Sequence, residues 1–160
     1  MRITPHSTTT ASLAESFEMY TRCDRYENLA NDLHRVRDAV FLIEQGVSAE
    51  KERDLFDQDC MHAVAYSEPE FPVATGRIDL QQLGKVGRVA VLKSHRRRGY
   101  GTLIMRALEQ AARDAQLSHI WFHAQASAVP FYQSLGYQVS GTEFMEAGME
   151  HVRMEKSITD

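Results

Sequence analysis

From Tyr26 to Gln45 the apolar residues Leu29, Leu33, Val36, Val40 and Ile43 recur at intervals of three and four, the spacing of an amphipathic helix. Gly46 follows where a C-terminal cap belongs. Ahead of this helix, SFEMYTRC from Ser16 alternates apolar and polar residues and predicts a first strand. Behind it, VSAEKERDLFDQD is polar and acidic, a loop with room for one short helix. Three strands are predicted at MHAVAYS from Met61, PVATGRIDL from Pro72 and VGRVAVL from Val86; the short polar links between them predict an antiparallel meander. A second helix runs from Gly99 to Gln116, with Ile104, Leu108, Ala111 and Ala115 on one stripe. HIWFHAQ from His119 reads as a short buried strand, and SAVPFYQSLG as a short helix with Ser127 as N-cap and Gly136 as its stop. YQVSGT from Tyr137 and EHVRMEKSI from Glu150 close the chain as two more strands. This order of elements predicts one mixed α/β domain over residues 15–157, not a repeating βαβ array.

Composition narrows what such a domain does. The 160 residues suffice for one domain with a sizeable core. Lys and Arg number 18 against 22 Asp and Glu, a formal charge of -4, so no global positive field would hold nucleic acid or an anionic membrane. No apolar run is long enough to cross a bilayer. Residues 1–14 are rich in Ser and Thr and are expected to be a disordered tail; an organelle transit peptide is the alternative. Cys23 and Cys60 lack metal-ligand spacing, so no metal is expected, and reduced thiols in a cytoplasmic protein are the simpler reading.

Against that background, KSHRRRGYGTLIM from Lys93 concentrates cations at one strand-to-helix junction. The first backbone N–H groups of a helix lack intrahelical partners and carry partial positive charge, so the site favours an anion, phosphate above all. Gly99 and Gly101 let the backbone approach a bulky oxyanion, and Arg96, Arg97 and Arg98 can add charge-assisted hydrogen bonds. The P-loop and dinucleotide fingerprints are both absent: no Lys follows Gly101, and residue 104 is Ile. A solvated charge cluster at a turn stays open on these residues alone.

The surrounding sequence adds a resemblance. VAVLKSHRRRGYGTLIM resembles the acetyl-CoA binding motif of the GNAT superfamily of N-acetyltransferases, with Arg96, Gly99 and Gly101 in the motif's places. FHAQASAVPFYQSLGYQ resembles the later motif of the same superfamily, with Phe131, Tyr132, Gly136 and Tyr137. RDAVFLIEQGVSAEKERDLFDQDCMHAVA is similar to a subgroup of small, mostly uncharacterised bacterial-type members, so the resemblance covers roughly 26–156.

The resemblance implies a central, mostly antiparallel sheet with one splayed parallel pair, and acetyl-CoA as acyl donor. Its pyrophosphate would sit on backbone N–H groups of Arg96, Arg97, Arg98, Gly99, Tyr100, Gly101 and Thr102. The pantetheine would follow the strand through Val89, Val91 and Leu92, with a backbone N–H near Val91 polarising the thioester carbonyl. Tyr132 would protonate the departing thiolate; a tyrosine merely packed in the core is the alternative. Many relatives carry Asn near position 123 to hold the pantetheine amide, where this chain has His123 and Gln125.

An alkylamine acceptor of pKa near 10 is protonated at pH 7, and freeing its lone pair costs about 4 kcal/mol, so a base or water chain is needed. Glu44, His123 and His62 are the candidates, in that order. The acidic segment from Glu50 to Asp59 is expected to favour a cationic amine at the acceptor entrance. The leading reading is direct acetyl transfer to a small-molecule or peptide amine, since no cysteine lies in either motif. An acyl-CoA-binding sensor with little catalysis is the alternative, and a homodimer is compatible with the resemblance.

Overall fold

The computed structural model describes residues 17–159; the expected tail over 1–14 lies outside them. The first strand, β1 (Tyr20–Arg25), starts later than the alternation from Ser16 predicts and runs straight into helix α1 (Tyr26–Arg37). Leu29, Leu33 and Val36 of α1 are buried as their spacing requires, and they pack with Val64 and Tyr66 or with Ala90 of the sheet. From Asp38 to Glu44 the helix widens into a π-helical turn, closed by Gln45 N–H donating to Val40 O at 3.0 Å. The extra residue per turn rotates the apolar stripe. Val40 is therefore buried and Phe41 packs beside it, while Ile43, expected on the same face, is 82 % exposed.

A one-turn helix α2 (Ala49–Glu52), capped by Ser48, and a 3-10 turn over Leu55–Asp59 follow. Then come the meander strands β2 (Met61–Glu68), β3 (Phe71–Asp79) and β4 (Lys85–Val91), all antiparallel as predicted. Helix α3 (Tyr100–Asp114) buries Ile104, Met105, Leu108 and Ala112 against the sheet; Ala115, assigned to its apolar stripe, is exposed. Each large apolar side chain so buried contributes about 1.5–3 kcal/mol.

After β5 (His119–Gln125), helix α4 (Val129–Ser134) begins one residue later than a Ser127 cap implies: Ala128 is its N-cap, no side chain caps it, and Pro130 occupies the first turn. Proline tolerates that position because its missing N–H would have no partner there. Strand β6 is only Gln138–Val139, where a longer strand is expected from Tyr137. A further strand, β7 (Phe144–Glu146), forms a hairpin with β8 (Met149–Ser157) through Ala147 and Gly148, both at positive φ. That backbone is the type I′ turn whose twist matches paired strands.

Among the described residues eight strands make one sheet in the order β1-β2-β3-β4-β5-β8-β6, with β7 on β8. All pairings are antiparallel except β4 with β5, which meet only at Lys85–Trp121. Trp121 N–H donates to Gly84 O (3.1 Å) and its indole N–H to Gln82 O (3.1 Å), pinning the strands at that end. Beyond it they part. No helix among the described residues is long and apolar enough to cross a membrane.

Candidate active site

The gap between β4 and β5 opens into a cavity of about 500 Å³. Its wall includes Val86, Gly87, Arg88 and Val89 on one side and Phe122, His123 and Gln125 on the other. Neighbouring strand residues point to opposite faces of a sheet. Because Phe122 and His123 both border it, the cavity runs through the sheet at the splay.

A bulge shapes the β4 wall. Thr75 pairs with Ala90 and Arg77 with Gly87, so Gly76 alone opposes Arg88 and Val89. Arg88 takes left-handed backbone (φ 53°), which costs a side-chain-bearing residue about 1–2 kcal/mol. Its guanidinium offsets that by donating to Lys51 O, Glu52 O and the Asp54 carboxylate. A bulge takes the extra residue's backbone out of the ladder and frees it for a ligand. The bulge was unforeseen, although an isolated Gly inside a strand pattern, here Gly87, is a known sign of one.

Where β4 ends, Leu92 N–H donates to Val73 O (2.8 Å), and a 3-10 turn over Lys93–His95 leads to the arginines. Arg97 (φ 60°) and Gly99 (φ 91°) are both left-handed, and α3 starts without a side-chain cap, so its first N–H groups are free of side-chain partners. Nothing lies within 4 Å of where a Cβ on Gly99 would stand, whereas one on Gly101 would meet the Phe131 ring at 3.0 Å. The junction is thus an open concave backbone with the character of an anion cradle, the feature that fits a pyrophosphate. Arg97 and Arg98 are exposed. The Tyr100 side chain is buried in the core, so only its backbone belongs to the cradle. Thr102 lies half-buried in the first turn of α3. Val91 and Leu92 pack against the core on the strand leading to the cradle.

Arg96 is engaged otherwise. Its two terminal nitrogens donate to the Glu44 carboxylate, and its Nε donates to Val91 O (3.0 Å). The Arg96 hydrogen bonds hold the Glu44 carboxyl below its ordinary range. Glu44 therefore sits beside the cradle and does not line the cavity.

Tyr132 does. Its side chain is 7 % exposed, lies 4.4 Å from the Phe122 ring centroid, and its hydroxyl has no hydrogen-bond partner among the described residues. Burial pushes its phenol well above the usual range, so it stays protonated. Tyr137, also in the second motif, instead donates to Glu109 (2.8 Å) in the core.

On the opposite face the cavity meets three more groups. His123 Nδ1 lies 3.4 Å from Glu146 Oε1, and His151 Nε2 lies 3.8 Å from Glu146 Oε2. Glu146 and His151 were not foreseen; they arrive on the unexpected β7–β8 hairpin. Gln125 reaches the wall and donates to Gln45 (3.2 Å). His62, the third base candidate, is buried away from the cavity, within 2.8 Å of Asp57 O, and burial lowers its pKa.

The acidic segment behaves differently from a free negative surface. Glu52 and Asp57 bind the buried Arg37, Asp57 and Asp54 bind Arg77 at 2.7 Å, and Asp54 also binds Arg88. Three carboxylates meet three arginines, so this part of the entrance is neutralised internally. A group with metal-competent atoms within 4.8 Å, His34, Asp38 and Glu52, belongs to the same network: Arg53 binds Asp38 and Arg37 binds Glu52. Cys60 also reaches the cavity wall, but burial pushes its thiol up to about 12, which leaves almost no thiolate to act as a nucleophile. Both cysteines are free.

Residues 27–158 match the family model described as an acetyltransferase (GNAT) domain. The chain is similar to the uncharacterised N-acetyltransferase YjcF of Bacillus subtilis, at 45 % identity over 132 residues, covering 81 % of this chain and 94 % of that one. Among solved structures it resembles an acyl-CoA N-acyltransferase from Pseudomonas aeruginosa, with a TM-score of 0.77 and 23 % identity over 88 % of this chain and all of the other. An aminoglycoside 6′-N-acetyltransferase in complex with coenzyme A shares the fold at a TM-score of 0.69 and 15 % identity, covering 90 % of this chain and 98 % of the other.

Proposed function

The chain belongs to the GNAT acetyltransferase family of acyl-CoA-dependent N-acyltransferases, and from that premise we propose direct acetyl transfer from acetyl-CoA to a primary amine with Tyr132 as general acid. One observation carries this reading: a buried, protonated phenol, without a hydrogen-bond partner among the described residues, stands in the wall of a cavity that runs through the splay. When bound, acetyl-CoA supplies an activated acetyl thioester. Arg97, Arg98, Gly99, Gly101 and Thr102, with the backbone of Tyr100, hold its pyrophosphate. Arg96 lines that cradle while paired with Glu44. Val89, Val91 and Leu92 guide the pantetheine, and backbone N–H groups freed by the bulge polarise the thioester carbonyl.

Tyr132 Oη would give its proton to the sulfur as the C–S bond breaks and be reprotonated from solvent before the next turnover, as His123 returns its proton to solvent. His123, on the other face of the sheet, takes the proton that the attacking nitrogen sheds as the C–N bond forms. The choice of His123 over Glu44 rests on position: His123 lines the cavity, whereas Glu44 holds Arg96. The inertness of the Cys60 thiol supports transfer without an acyl-enzyme. The acceptor is a small molecule or a peptide carrying a primary amine.

The test is thiol release from acetyl-CoA over a panel of primary amines. The wild type releases thiol with at least one amine, and Tyr132→Phe slows that release about 10²-fold. Coenzyme A binding without release from the wild type across the panel would favour an acyl-CoA-binding sensor instead.

A further inference from the structure

We infer that Glu146 is the positioning residue for the acceptor-side base, holding His123 by Nδ1 so that Nε2 is left to take the amine's proton. This rests on the acetyl-transfer reading above. Three strands assemble the group. His123 stands on β5, His151 on β8 and Glu146 on β7, and the Ala147–Gly148 turn brings β7 back along β8. Phe144, directly across from His151 in the ladder, stacks on it at 6.0 Å and meets the His123 ring edge-on at 4.8 Å. The aromatic wedge fixes both imidazoles on either side of one carboxylate.

The charge around the cavity singles out Glu146. Of the carboxylates lining it, Glu52 and Asp54 are taken by arginines, and Asp79 accepts from the backbone of Gln81 and Gln82 and from the Gln82 side chain. The Glu146 carboxylate pairs only with histidines among the described residues. The cations around His123 come from two strands. Arg153, its partner across the β5–β8 ladder, lies over Trp121 at 4.2 Å, and Lys85 of β4 lies 5.3 Å from the same ring. Arg88 of β4 borders the same cavity, and Glu155 of β8 sits 3.8 Å from Arg153. By accepting from Nδ1, the Glu146 carboxylate selects the tautomer whose Nε2 lone pair is free; Nε2 has no protein hydrogen bond among the described residues.

The test compares wild type, Glu146→Gln and Glu146→Asp by two readouts. Glu146 is 49 % exposed on a hairpin, so both variants should fold, and a melting curve checks this. The imidazole nitrogen NMR shifts of His123 should report the Nδ1–H tautomer in the wild type and a mixture of tautomers in Glu146→Gln. With the best amine of the panel kcat should fall about tenfold in Glu146→Gln while KM for the amine changes less than about twofold, and Glu146→Asp should recover part of both losses. An unchanged His123 tautomer beside an active wild type overturns the pairing alone. A wild type that releases no thiol with any amine overturns the acetyl-transfer reading, and the role of Glu146 falls with it.

Discussion

Arg96 and Glu44, 52 residues apart in sequence, close on each other through two hydrogen bonds at the edge of the anion cradle. The arginine that heads the motif is thus already neutralised by a carboxylate, and in the proposed binding mode a pyrophosphate would have to compete for it. Glu44→Gln removes the competing charge. Isothermal titration should show coenzyme A binding several-fold tighter in the variant, with the gain shrinking as salt is added. Weaker binding would mean that Glu44 serves to hold Arg96 in place.

Tyr132→Phe should separate chemistry from binding. The hydroxyl has no partner among the described residues to leave unsatisfied, so its loss should change the melting temperature little and coenzyme A affinity less than about twofold. Burial keeps the phenol protonated beyond its ordinary value of 10.0, so the wild-type rate should show no descending limb from this residue below that pH.

Acid stability follows from the arginine network and His62. Burial pushes Asp54 and Asp57 upward, but hydrogen bonds and charge from Arg77 and Arg37 outweigh it, and both fall below the ordinary 3.8. Their contribution is complete above that value and is lost as pH falls through the lower folded values. His62 adds an earlier slope: burial lowers its pKa from 6.5, so the unfolded chain takes up a proton first and stability declines below 6.5. Melting temperature against pH should therefore fall in two stages, and His62→Gln should make the first shallower; burial lowers His34 as well, so part of that slope should remain.

Arg37→Met should be among the most damaging changes outside the cavity. The Arg37 side chain is 1 % exposed and serves both Glu52 and Asp57. Removing it takes the main partner from the buried Glu52 carboxylate and leaves Asp57 with Arg77 alone, at a cost of about 3–5 kcal/mol measured by urea unfolding. Arg97→Ala, on an exposed side chain, should leave urea stability unchanged.

The core of this layout was legible in the sequence because periodicity records burial. The meander, α1 and α3 all follow from which residues must face inward. Ile43 misled because a local change of helical pitch leaves no trace in composition. The uncapped helix start at the arginine junction was readable for a related reason: glycines and arginines there act through local backbone. The far wall of the cavity was not. Glu146, His151 and Cys60 reach the cavity from strands and turns far apart in sequence, and short hairpin strands such as β7 are too brief to show a period. The acidic segment was read as a surface because its arginine partners, Arg37, Arg77 and Arg88, are contributed by three other elements.

The passage of one cavity through the sheet bears on the order of events. Phe122 and His123 line it from opposite faces of the sheet, so in the proposed direct transfer donor and acceptor would approach from different faces, and neither would have to leave before the other arrives. Initial-rate lines at several fixed acetyl-CoA concentrations should then intersect instead of running parallel. With the amine withheld, no thiol should be released, not even in a first burst.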